Sequence, residues 1–200
     1  MRVAHGEHIS RPWRIHEIAH DFDIEDVWAL PVRGGPDDLG LLIAGMANAR
    51  RTDESSIVVK FIWAFRWKLG AWLGWDGPDE GTGSRVLSLC DRVAVDLRDE
   101  TAGPITPNSP FAVLYQTRNE YAAEIANRTM HGVLHLGWID DGNGAYRGQM
   151  AVLVKTNGCW GKAYMALIKP FRYLVIYPAL MRQIEREWAR ARRRSTEDTQ

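Results

Sequence analysis

Between Phe111 and Trp188 the sequence sets four strand-like segments in close succession, then about thirty residues with the pattern of one amphipathic helix. The linkers between those strands are too short for crossover helices, so the strands must pair as an antiparallel meander. A meander followed by one long helix implies an α+β fold: a curved antiparallel sheet packed against a long C-terminal helix. Such an arrangement can leave a cavity between the two.

Phe111, Val113 and Tyr115 alternate with Ala112, Leu114 and Gln116. After a turn at Arg118-Asn119, Tyr121, Ala123 and Ile125 alternate with Glu120, Ala122 and Glu124. Met130 to Ile139 reads as a third strand, and Asp140-Asp141-Gly142-Asn143-Gly144 as a hairpin loop. A fourth strand, Tyr146 to Lys155, puts Gly148, Met150, Val152 and Val154 on one side and Arg147, Gln149, Ala151 and Leu153 on the other. The terminal helix pattern starts near Cys159 and carries Trp160, Tyr164, Phe171, Ile184 and Trp188 on one stripe. Pro170 and Pro178 each remove an amide donor and predict bends in it.

Upstream, residues 1–13 read as a flexible leader and Arg14 to Ala19 as a short strand. Asp21, Asp23 and Asp26 read as a polar approach to an edge strand, Val27-Trp28-Ala29-Leu30, closed by Pro31. Pro36, Asp37 and Asp38 suit a helix start, and Leu39, Leu42, Ile43 and Met46 give that helix its apolar stripe to near Asn48. A second helix, about Glu54 to Leu73, aligns Ile57, Phe61, Phe65, Leu69 and Trp72, with Trp63 and Trp67 on other sides. Arg85 to Leu97 has no clean period and reads as a short helix or strand.

The length of 200 residues suits a single domain over 14–190, with 191–200 as a disordered basic and polar tail. The 25 basic and 25 acidic residues cancel, which predicts no nucleic-acid partner. The most apolar stretch, Ile57 to Trp75, is interrupted by Lys60, Arg66 and Lys68, so no transmembrane segment is expected, and the cytoplasm is the expected location. Cys90 and Cys159 form no Cys-x-x-Cys pair. His131 and His135 share a strand face but lie about 13 Å apart at the strand rise, too far for joint ligation. Neither a metal nor a cofactor is expected. His135 with Glu124 is the candidate acid–base pair, because imidazole titrates near neutrality.

Several stretches carry a family resemblance: His20-Asp21-Phe22-Asp23 through Pro31, Met130-His131-Gly132-Val133-Leu134-His135-Leu136, and above all Lys155-Thr156-Asn157-Gly158-Cys159-Trp160-Gly161-Lys162-Ala163-Tyr164-Met165 with Ile168-Lys169-Pro170-Phe171-Arg172 through Pro178. Over most of residues 15–188 the chain resembles the bacterial family DUF2867, and by element order the helix-grip fold of the START-like (SRPBCC) superfamily. The resemblance implies a ligand pocket, since relatives in that superfamily bind lipids or cyclise polyketides.

The expected function is therefore binding of a small apolar, lipid- or polyketide-like molecule between the sheet and the C-terminal helix. Tyr115, His135, Arg147 and Gln149 are the expected polar contacts, and Trp63, Trp67, Tyr164 and Phe171 the expected walls. One alternative is a cyclase or dehydratase using His135 and Glu124 in the same pocket. The other is a noncatalytic scaffold with an exposed apolar patch near Trp72 and Trp75. The sequence leaves monomer and homodimer equally open.

Overall fold

The computed structural model describes residues 1–52, 87–98, 111–126, 130–156, 166 and 169–197. Among them, β1 (Asp23–Gly34), β2 (Ala112–Gln116), β3 (Glu120–Ala126), β4 (Met130–Asp140) and β5 (Tyr146–Thr156) form one antiparallel sheet in the order β1-β5-β4-β3-β2. The chain is thus α+β, with the sheet and terminal helix expected from the meander. β4 and β5 pair without a slip from Met130↔Thr156 to Asp140↔Tyr146. Their hairpin needs glycine twice, at Gly142 (φ 86°) and Gly144 (φ 73°), where a side chain would be strained.

Both faces of the sheet are covered. On one, Leu136, Trp138 and Met150 pack against α3 (Leu39–Thr52) and the C-terminal helix α5 (Tyr177–Glu197) through Leu39, Leu42, Tyr177, Ile184 and Trp188. On the other, Val133, Ala122, Ala151 and Leu153 lie under α1 (His5–Ile9), α2 (Ile15–Ile18), a 3₁₀ turn (Leu89–Arg92) and the chain leading into α4 (Val95–Arg98). That second cover was not expected. Arg14 to Ala19 contains a helical turn rather than a strand, because Ile15 and Ile18, three apart, both reach the core.

The first residues are docked, unlike the loose leader expected of them. Met1 and Val3 bond to Ala29 and Val27, so the chain start pairs with the outer edge of β1. An unpaired edge is a template for association, and this contact covers it. β1 is the edge strand expected, but it runs through Pro31. The proline sits where the β1–β5 register shifts between Ala29 and Arg33, so no ladder donor is lost. Asp23 and Asp26 belong to the strand itself rather than to a polar approach.

Trp13 is seated over Gly137, where an added Cβ would lie 2.7 Å from the indole ring. Gly137→Ala is therefore expected to cost about 1–3 kcal/mol through overpacking. A urea midpoint unchanged by the substitution would show that the indole does not rest there. Among the described residues, no helix is long and apolar enough to cross a membrane.

Candidate functional site

On the face toward α5, one polar ensemble interrupts an otherwise apolar layer. Asp26 alternates with Val27 along β1, which sends its side chain beneath the C-terminal segment, where it is fully buried. Opposite it, Arg172–Ile176 forms a π-helical turn, in which the Tyr177 N–H donates to the Arg172 carbonyl. The turn lies between Pro170 and Pro178, where the bend was expected. Pro178 has no N–H to continue the α-ladder, and turns of this kind recur at functional sites.

The turn aims three donors at one carboxylate. Asp26 Oδ2 accepts from the Tyr177 hydroxyl at 2.7 Å and from the Arg172 guanidinium, and Oδ1 accepts from the Tyr173 hydroxyl. Glu25 adds a second, weaker contact to Arg172 at 3.3 Å. Burial, together with Asp26, raises the pKa of both tyrosines, so they stay protonated donors. Burial alone would lower that of Arg172, but Tyr177, Asp26 and Glu25 outweigh it. With three donors from one turn converging on it, this carboxylate anchors the turn to β1. The Trp28 ring stacks 4.6 Å from Tyr177 and 6.2 Å from Tyr173, and its buried Nε1 has no acceptor. Sequence reasoning missed this site. Its visible signals were an aspartate inside an apolar strand and two tyrosines four apart beside an arginine.

The expected polar residues lie elsewhere. Tyr115, His135 and Gln149 come together, but on the face turned away from α5. Tyr115 reaches that face because a bulge between Val113 and Tyr115 resets the alternation of β2. Arg147 points to the same side and pairs with Glu7 at 3.3 Å near the surface. His135 bonds Glu120 at 3.3 Å rather than Glu124. Glu124 instead takes His131 Nε2 at 2.7 Å, Ser88 Oγ and the Leu89 N–H. Burial pushes the Glu124 pKa up, and these three donors more than reverse it, holding it below the usual range. Phe171 is half-buried at the start of the π turn, and Trp63, Trp67 and Tyr164 lie outside the described residues. Among the described residues, no three His, Cys, Asp or Glu side chains converge as a metal ion would require.

No curated protein and no solved structure matches the chain. A family model does match, over residues 18–179, from before β1 into α5, and so spans both the sheet and the Asp26 ensemble. Its description is a protein of unknown function, and with four-fifths of the sequence covered, the chain belongs to the DUF2867 family.

Proposed function

We propose that the protein is a small-molecule-binding domain of the START-like, helix-grip type, holding an apolar ligand between the sheet and the C-terminal helix. The Asp26 ensemble fixes the π turn to β1 at one end of that layer. Trp28, Tyr173, Tyr177 and Phe171 supply aromatic walls in this reading. One observation carries it: a buried indole N–H on Trp28 with no acceptor, beside a polar anchor whose carboxylate is already engaged by Arg172, Tyr173 and Tyr177. An unmet donor within aromatic walls suits a ligand with an apolar body and one acceptor. The placement favours binding over catalysis, since the acid–base candidates His135 and Glu124 both face away from this layer.

Titration with the fluorescent probe 1-anilinonaphthalene-8-sulfonate tests this reading. Saturable binding is expected, and Trp28→Phe is expected to weaken it about 2- to 10-fold, the worth of one hydrogen bond. Equal affinity in both proteins would remove Trp28 from the site.

A further inference from the structure

The opposite face of the sheet holds a chain of buried polar groups that the proposed ligand site does not use. Glu120 Oε2 accepts the backbone N–H of Arg14 at 3.0 Å, the Tyr115 hydroxyl at 3.0 Å and His135 Nε2 at 3.3 Å. With the carboxylate accepting, His135 carries its proton on Nε2, and its Nδ1 is a bare lone pair. That Nδ1 faces His8 Nε2 at 3.0 Å, so His8 must carry its proton on Nε2. Its own Nδ1 then ends the chain as a buried acceptor with no partner.

Gln149 lies on the same face of the sheet, beside His135. It pairs with Gly137 in the ladder, one step along the face from the His135↔Ala151 pair, which makes it a diagonal neighbour of His135. Its side chain is 1% exposed, and neither its oxygen nor its nitrogen has a partner. The Trp13 ring lies 5.4 Å from His135, with a buried indole N–H that is also unpartnered. Trp13 is in turn a wall of a cleft of about 340 Å³ that also touches Arg11, Asn119, Ile139 and Tyr146.

We infer that this face is a second site, binding a hydroxyl group (water or a short alcohol) that donates to His8 Nδ1 and accepts from the Gln149 amide. A lone acceptor and a group that both donates and accepts, both buried around His135 without partners, together complement an O–H. The chain behind it fixes both tautomers: Glu120 holds the proton on His135 Nε2, and the lone pair of His135 Nδ1 holds the next proton on His8 Nε2, which keeps His8 Nδ1 an acceptor. Burial lowers the pKa of both histidines, against the pull of Glu120 on His135, so both rest neutral.

Nitrogen-detected NMR of the ¹⁵N-labelled full chain at neutral pH tests the site, with water and then methanol as the probe. The expected result is an Nε2–H tautomer for both His8 and His135. An Overhauser contact is also expected from the His8 ring to a long-lived water proton, replaced by the methanol methyl on titration. Gln149→Leu is expected to abolish the contact while both tautomers persist. An Nδ1–H tautomer at either histidine would overturn the hydrogen-bond order that leaves His8 Nδ1 as the acceptor. Absence of any contact to water or methanol in the unsubstituted protein would overturn the site.

Discussion

Replacing Asp26 with alanine is expected to destabilise the protein by about 3–5 kcal/mol, the cost of leaving a buried charge without its partner. Arg172 is 8% exposed and would lose its buried carboxylate partner, while its contact to Glu25, at 3.3 Å, lies partly in solvent. The Tyr177 hydroxyl, also buried, would lose its acceptor at 2.7 Å. Glu25→Gln, by contrast, removes a half-exposed contact and is expected to cost under about 1 kcal/mol. Urea denaturation of both variants checks the contrast. The double variant Asp26→Leu, Arg172→Met is expected to recover most of the loss, because a well-packed apolar pair is often as stable as a buried ion pair. A single substitution no worse than Glu25→Gln would mean that Arg172 finds water when Asp26 is removed.

Acid is expected to unfold the N-terminal cover before it touches the carboxylates. His8 is buried among His135, His16, Arg11 and His5, and burial first, then those charges, lower its pKa from 6.5 to about 3. In the unfolded chain His8 binds a proton near pH 6.5, and in the folded chain only near pH 3. Between those values the unfolded state holds more protons, so stability rises with pH and is lost as pH falls. The slope approaches about 1.4 kcal/mol per pH unit for this histidine, and His135, lowered chiefly by burial, steepens it. Asp21 and Glu124 also lose stabilisation in acid, but only as pH drops below the usual carboxylate range of about 4. Stability measured from pH 6.5 to 4.5 therefore isolates the histidines. His8→Gln is expected to flatten that part of the curve, and an unchanged slope would show that His8 is not enclosed.

The elements legible in the sequence were those whose side chains repeat over many residues. β3, β4 and β5 alternate cleanly, so their two faces were assigned correctly, as was the apolar stripe of α3. Short or interrupted segments were not legible. α2 spans four residues, too few to separate a period of 3.6 from one of 2. In β2 one bulge turned both Leu114 and Tyr115 to the same side. The docking of residues 1–13 depends on the open edge of β1 and on Gly137, which receives Trp13, and neither feature marks the leader itself. The site residues failed for a related reason. Even spacing showed that His131 and His135 share a face, but not which layer covers that face. The Asp26–Arg172 pair joins positions 146 apart, with no local pattern linking them.

Native mass spectrometry of the protein purified from its own host tests the central claim, that an apolar small molecule lies between the sheet and the C-terminal helix. The account predicts a retained mass of one organic molecule per chain, lost on mild unfolding and depleted in Trp28→Phe, with Gln149→Leu leaving it in place. A chain that carries no such mass and also fails to bind the fluorescent probe would contradict it, as would a retained molecule that Gln149→Leu removes and Trp28→Phe does not.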